Sequence, residues 1–422
     1  MKVQDLIALS ADEALIAAAP NSLLLAGPTE ARWTATLQDP VAGVELGRWA
    51  VATADAVAVT TANPIGHFVE VLARSDGRPR ARVAFGAKPL GKPEGEERFV
   101  GLWADGADVF ASGPDAAGSV LLRLAGSSGE VTWRTVIEGD PPVRWAFIGK
   151  RSLVLASRHS SWLIDRADGR ILERFSSRGA GCRVGSWYVE YKPDALELRD
   201  LDEGQPPRRV PLQRPQGGPD EDSSVSVECR ERDGTFVALF GPLAYTLMRV
   251  ELDGRVRWNL PLPGVTLESH RYIGGTWPER GALGGDARFA TLAVTGDAGR
   301  SLVLIDLDEG RVARRAGPDH QMPRWTVMQA HGVSVLAQRA LKIALVDTAS
   351  GEVRGGITLD ALDVETMPWH LAGTSLWQVV RGANTSDSPW SRRDLEAVGA
   401  RDEAERWLKF AVPQAPAGDA AP

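Results

Sequence analysis

Hydrophobic positions along the chain fall into short β-rich runs separated by polar turns, and many of those turns end in glycine. Seven segments share this pattern: FVEVLARSDGRPRARVAF, VLLRLAGSSGEVTWRTVI, SWLIDRADGRILERF, LELRDLDEGQPPRRVPL, TLMRVELDGRVRWNLPL, LVLIDLDEGRVARRAG and IALVDTASGEVRGGITL. Their turn glycines are Gly77, Gly129, Gly169, Gly204, Gly254, Gly310 and Gly351, spaced about 46 residues apart on average. An eighth, degenerate copy runs from Leu23 to Leu37. Glycine is expected there because a tight hairpin needs a positive φ, which costs other residues energy. In four copies an Asp stands four residues before the glycine: Asp165, Asp200, Asp306 and Asp347. Its carboxylate is placed to accept backbone N–H groups of the turn. Beyond the glycine, Ile171, Val131, Val256, Val312 and Val353 restart the two-residue alternation of a half-buried strand.

Two further short runs precede each hairpin, as in RWAFIG and SLVLASR before Gly169 or RWTVMQAHG and VSVLAQR before Gly351. Each unit is therefore four strands, the size of a propeller blade. A lone four-stranded sheet with two apolar faces cannot cover both, whereas stacking around an axis covers them. The expectation is an all-β chain: a single closed β-propeller of four-stranded antiparallel blades over 1–385. Eight turns give eight blades, or seven if two degenerate copies share one. Met367–Val380 reads as two strands that join the N-terminal ones in a shared closing blade. Residues 386–412 read as an extension with a short helix, which Ser391 and Asp394 would cap; DLEAVGA and RWLKFAV as a hairpin is the alternative. Residues 413–422 read as a disordered tail.

The turn pattern D-x-x-x-G-[RE]-[IV], sometimes followed by Trp, resembles the PQQ-like repeat of quinoprotein-like and WD-type β-propellers. LIDRADGRILERF and LVDTASGEVRG match best, and Trp133 and Trp258 stand where such repeats pack a Trp between blades. The resemblance covers about 23–380. It implies the fold and leaves function open, since propellers host many unrelated roles. Quinone-dependent enzymes of this kind are periplasmic and hold calcium-binding carboxylates in a central funnel; outer-membrane assembly propellers are exported lipoproteins. The N-terminus fits neither, so a non-catalytic member is expected.

Composition narrows the choice. The chain has 422 residues, 43% hydrophobic and 24% charged, with 48 Lys+Arg against 55 Asp+Glu for a net charge of -7. An acidic balance argues against nucleic acid or an anionic membrane as partner. The N-terminal apolar stretch is broken by Asp5, Asp12 and Glu13, and no run reaches the ~20 apolar residues of a spanning helix. The expected address is the cytoplasm, with Cys182 and Cys229 as reduced, buried thiols.

The sequence carries little recognisable chemistry. GAKPLGK (Gly86 to Lys92) opens like a phosphate-binding loop, but Pro93 replaces the magnesium-binding Ser or Thr and Pro89 lacks an N–H. The six histidines (His67, His159, His270, His320, His331 and His370) show no metal-ligand spacing. DLDEG, at Asp200 and Asp306, lacks the closing Glu of a calcium loop. No metal, cofactor or catalytic residue is expected.

One pattern points to binding. An Arg followed by an aromatic recurs ahead of a first strand: Arg48-Trp49, Arg98-Phe99, Arg144-Trp145, Arg271-Tyr272 and Arg324-Trp325, with Pro368-Trp369 in the closing blade. Repeated around an axis, these arginines would form a basic collar able to hold carboxylates or phosphates bidentately. The structural alternative is that the aromatics wedge between blades and each Arg stacks or pairs locally. The long connections Gly86–Glu97 and Gln213–Asp222 open on the same face. The functional expectation is a non-enzymatic intracellular interaction scaffold whose collar binds an acidic segment of a protein partner, or an anion. The alternatives are an enzyme or ligand sensor using the central funnel, and the propeller subunit of a bacterial system that pairs a MoxR-type ATPase with a von Willebrand A-domain protein.

Overall fold

The structure, a computed structural model, describes residues 2–42, 49–86, 101–138, 145–157, 160–176, 181–192, 194–212, 225–241, 245–262, 265–267, 288–319, 326–330, 333–338, 342–347, 349–358, 369–372, 375–379, 390–394 and 408. They form antiparallel sheets, each built from strands consecutive in sequence. Sheet 1 holds β1 (Lys2–Ser10), β2 (Glu13–Ala19), β3 (Ser22–Ala26) and β4 (Ala31–Thr36); sheet 2 holds β5 (Ala50–Ala52), β6 (Ala56–Asn63), β7 (Gly66–Ala73) and β8 (Pro79–Ala84). Sheet 3 holds β9 (Gly101–Asp105), β10 (Asp108–Asp115), β11 (Gly118–Ala125) and β12 (Val131–Glu138); sheet 4 holds β13 (Trp145–Ile148), β14 (Ser152–Ala156), β15 (Ser160–Asp165) and β16 (Ile171–Ser176). Sheet 5 holds β17 (Cys182–Val184), β18 (Trp187–Lys192), β19 (Ala195–Asp200) and β20 (Arg208–Pro211); sheet 6 holds β21 (Val225–Arg232), β22 (Thr235–Gly241), β23 (Tyr245–Glu251) and β24 (Val256–Leu262). Sheet 7 holds β25 (Val265–Leu267), β26 (Phe289–Gly296), β27 (Gly299–Asp306) and β28 (Arg311–Asp319); sheet 8 holds β29 (Thr326–Ala330), β30 (Val333–Gln338), β31 (Lys342–Asp347) and β32 (Val353–Thr358). A three-stranded ninth sheet holds β33 (Trp369–Ala372), β34 (Ser375–Val379) and β35 (Trp390–Asp394).

The burial pattern makes this a β-propeller. Second and third strands are buried on both faces, as in β6, β14 and β27, while fourth strands such as β4 and β16 alternate exposed and buried positions. First strands of neighbouring sheets touch: β5 and β9, β9 and β13, β17 and β21. First strands are therefore innermost and fourth strands form the rim, the arrangement that hides both faces of every inner strand. Apolar clusters span neighbouring sheets. One joins Leu15 and Leu25 of sheet 1 to Val57 and Leu72 of sheet 2, and another joins Leu302 and Leu304 to Ala344 and Val346.

The glycine turns take the conformation expected. All seven have positive φ, between 64° and 88°. In five of them the glycine N–H donates to the carbonyl four residues earlier, for example Gly169 N to Asp165 O at 2.9 Å. Asp347 Oδ1 accepts from the N–H groups of Ala349 (2.8 Å) and Ser350 (2.7 Å), and Asp200 and Asp306 bond their turns in the same way. A one-residue register shift follows in six of these third-to-fourth-strand hairpins and in the corresponding hairpin of sheet 1, as between Leu163 and Ile164. The bulge sharpens the twist where the rim strand leaves the turn.

These turns also join the sheets. Trp133 of sheet 3 donates its indole N–H to Arg166 O of sheet 4 at 2.9 Å, and a Cβ on Gly169 would lie 2.6 Å from the Trp133 ring. Trp33 repeats this with Arg74 O and Gly77, and Trp258 with Leu307 O and Gly310. The glycine is thus required twice, by its φ and by the indole lying on it.

Both termini depart from expectation. β1 and β2 complete sheet 1 from the N-terminal end, so Met367–Val380 does not share it; β33 and β34 instead pair with β35. The ninth sheet packs against sheet 1: β33 and β34 lie along β1, Trp377 Nε1 donates to Ser10 O at 3.2 Å, and Arg392 Nε donates to Ala11 O at 2.5 Å. Ser391 and Asp394, read as a helix cap, pair with Gln378 and Ser375 inside β35. Edge pairing with β34 claims them where local sequence favoured a cap. Leu408 is helical and buried against sheets 7 and 8; the rest of 395–422, with the proposed tail, lies outside the described residues.

Two outcomes are expected. Gly169→Ala should lose roughly 2–5 kcal/mol, strained backbone plus overlap with Trp133, whereas Gly106→Ala should lose only about 1–2 kcal/mol. Gly106 has φ +61° and open space at the Cβ position, so urea midpoints of the two variants separate backbone from packing. Burial pushes the Asp347 carboxyl up, but the N–H groups of Ser350 and Ala349, the Ser350 hydroxyl and Arg354 outweigh it and leave its pKa below the ordinary value. Asp200 and Asp306 are lowered likewise. Their unfolded forms then bind protons more readily, so this stability is complete above a pH of about 5 and fades as pH falls through the lowered folded values. Asp347→Asn should cost roughly 1–2 kcal/mol at neutral pH and flatten the acid limb of stability against pH.

Candidate functional site

Each sheet begins with its first strand, so the starts of first strands lie at one end of the propeller, with the connections from fourth strands and the hairpins between second and third strands. The element order sets the Arg–aromatic pairs against this frame. Trp49 immediately precedes β5, Arg98-Phe99 stands just ahead of β9, Trp145 opens β13, and Trp325 immediately precedes β29. In sequence, four of the five pairs thus fall within three residues of the start of a first strand, those of sheets 2, 3, 4 and 8. Arg271-Tyr272 does not: β25 ends at Leu267, so this pair follows the first strand of sheet 7. The periodicity that suggested it is broken by the long stretch between β25 and β26. Arg48, Arg98, Phe99, Arg144, Arg271, Tyr272, Arg324 and Trp325 lie outside the described residues, as does most of the two long connections; for Trp145 the backbone is described.

Trp49 is the pair member whose surroundings are defined, and it is a wedge. It is fully buried, packs in the cluster joining sheets 1 and 2, and donates its indole N–H to Asp5 Oδ2 at 2.8 Å. Asp5, buried on β1, also accepts from Leu6 N. A ring held this way offers nothing to a ligand but fixes the backbone from which the preceding residue emerges.

Other arginines on this face have acidic partners in the chain. Arg134 donates to Asp115 Oδ2 at 2.6 Å and to Phe85 O at 2.9 Å, and Arg82 pairs with Asp39 while stacking on Phe68. A Cβ on Gly86 would meet the Asp115 carboxylate, so the start of GAKPLGK abuts a negative charge, the wrong neighbour for phosphate. The remainder of that loop lies outside the described residues.

The opposite face, with the glycine turns, carries a feature sequence reading missed. Arg166 of sheet 4 reaches back to Asp105 (2.5 Å) and Asp108 (2.9 Å) of sheet 3, and Arg183 of sheet 5 to Ile148 O (2.5 Å) of sheet 4. Arg249 of sheet 6 bonds Asp308 of sheet 7 (3.2 Å), and Arg74 of sheet 2 pairs with Glu13 of sheet 1. The available signal was Arg three places before the turn glycine, in Arg74 and Arg166. The carboxylates of DLDEG are likewise occupied: Asp200 by backbone N–H groups, and Asp306 by backbone N–H groups and Arg288 at 2.9 Å. Among the described residues no cluster of three or more His, Cys, Asp or Glu is disposed to hold a metal, and no helix is long and apolar enough to cross a membrane.

No protein-family model matches the chain, and no curated protein matches it. Among solved structures, BamB from Moraxella catarrhalis is 12% identical, with 79% of this chain and 90% of that one covered and a TM-score of 0.42. Dihydro-heme d1 dehydrogenase NirN in complex with DHE is 15% identical, with 85% and 75% covered and a TM-score of 0.45. AztD from Citrobacter koseri in its apo form is 12% identical, with 85% and 96% covered and a TM-score of 0.42. The propeller assignment rests on the sheets themselves.

One further correction concerns cysteine. The expected reduced thiol is not found at Cys182, which is disulfide-bonded. Its position at the start of β17 brings it beside β21, the strand about one repeat further along that carries Cys229.

Trp49→Phe should cost about 1–3 kcal/mol, because a buried carboxylate oxygen loses its indole donor. If Trp49 is a wedge, affinity for a captured partner will be unchanged once the variant is folded; a selective loss of binding at normal stability would contradict that role.

Proposed function

We propose that this chain is a non-catalytic propeller that binds an acidic segment of a protein partner at the end where its first strands begin. The observation that carries the reading is the coincidence of Arg48-Trp49, Arg98-Phe99, Arg144-Trp145 and Arg324-Trp325 with the starts of β5, β9, β13 and β29. A cation repeated at one position of several sheets concentrates positive potential around the axis, even on a chain of net charge -7. Guanidinium suits the role because its planar donors match a carboxylate in pairs. Arg82 and Arg134 contribute little, because their charge is already balanced by Asp39 and Asp115.

The experiment is affinity capture from the native cell, with partners identified by mass spectrometry, using wild type and a variant combining Arg48→Glu, Arg144→Glu and Arg324→Glu. A specific partner should be held by wild type, weaken as salt is raised, and bind the triple variant at least about tenfold less well. Undiminished capture by a folded triple variant would remove the collar as the binding surface.

A further inference from the structure

The chain has two cysteines, Cys182 and Cys229; Cys182 is disulfide-bonded and no free cysteine is present among the described residues. The other cysteine of the chain is Cys229. These residues lie on β17 and β21, the innermost strands of sheets 5 and 6, which run side by side. Cys182 is buried in an apolar cluster that contains Val184, Val189 and Leu196 of sheet 5 and Met248 and Val250 of sheet 6. This junction is one of those without an indole at its rim. Its turn glycine, Gly254, meets Pro211 O and Val210, where Gly77, Gly169 and Gly310 meet an indole.

We propose that Cys182 is bonded to Cys229, that this bond is a permanent staple near the propeller axis, and that the protein works in an oxidising compartment. The covalent link holds the two sheets at a junction without a tryptophan latch. A bond between strands 47 residues apart in sequence also restricts the unfolded chain, which is how such links stabilise. Its formation converts two thiols to one disulfide; the two electrons and two protons pass to a dithiol–disulfide exchange oxidant of that compartment. The cytosol, where thiol reductants are kept in excess, does not sustain such a bond in most organisms. The proposal thus replaces the cytoplasmic address expected from the N-terminal sequence. It is independent of the arginine collar, which binds or fails to bind in either compartment.

The test uses the full-length protein in its native cells. Cells are quenched in acid and the chain is alkylated with N-ethylmaleimide, with and without prior reduction, then weighed intact. We expect no adduct without reduction and two after it. Two adducts on unreduced chain would overturn the oxidised state and the compartment together. A second measurement addresses the staple. Adding a thiol reductant should lower the thermal midpoint of purified wild type by several degrees and leave that of the Cys182→Ser, Cys229→Ser variant unmoved. A wild-type midpoint indifferent to reductant, with both thiols shown to be reduced, would overturn the stabilising role.

Discussion

A glycine N–H closing on the carbonyl four residues earlier, with an indole lying against that glycine from the sheet before, is the contact on which the propeller depends. It settles two matters at once. Within a sheet it fixes where the third strand ends and the rim strand begins, so the register of the hairpin and the bulge that follows are set locally. Between sheets it fixes the separation, because Trp33, Trp133 and Trp258 reach the carbonyl three residues before the glycine. A hydrogen bond of this kind contributes about 1 kcal/mol, and the burial of an indole contributes more. The greater consequence is geometric: any residue with a Cβ at the turn would push the indole and its sheet away.

Where tryptophan is absent the slot persists and is filled otherwise. Arg80 of sheet 2 donates to Gly126 O of sheet 3 at 3.0 Å, while Ala81 lies against Gly129. The Arg151 guanidinium lies against Gly204, and Arg314 donates to Gly351 O at 3.3 Å. What recurs is a glycine face with no Cβ, met by an indole at three turns, by a guanidinium at Gly204 and by smaller or apolar groups at Gly129, Gly254 and Gly351. This explains how the repeats diverge in side chain while keeping their glycine.

The hairpins were legible in the sequence because their determinants are local. Gly169, Asp165 and Ile171 lie within seven residues of one another and specify turn, closure and strand without help from the rest of the chain. Sheet membership was harder to read. Strands β1 and β2 lie in an N-terminal stretch whose apolar runs carry no turn glycine, and β33 to β35 pair among themselves although the same runs could have extended sheet 1. Which strand pairs with which depends on neighbours hundreds of residues away; Trp377 bonds Ser10 across 367 positions. The same limit governed Arg271, which had the right dipeptide but follows a first strand, and Cys182, whose 47-residue spacing from Cys229 matches one repeat without showing that the first strands of neighbouring sheets touch. The candidate site was readable as a repeated position, and its wedge role at Trp49 required knowing that Asp5 of β1 lies within hydrogen-bonding reach.

Arginine explains why a recognition surface is hard to find by charge alone on this molecule. Arg166, Arg183, Arg249 and Arg74 each connect neighbouring sheets, and Arg199 pairs with Glu173 across sheets 4 and 5 while lying on Phe175. A guanidinium engaged this way must give up a charge-assisted bond before it can take a ligand carboxylate, so the exchange gains little. The proposed recognition surface therefore draws on cations outside this set. The starts of β5, β9, β13 and β29 are where the chain enters an inner strand from a connection, and at β5 the buried Trp49 already holds the junction with sheet 1. An acidic partner meeting that end of the propeller would complete ion pairs there instead of displacing ones that hold the sheets together.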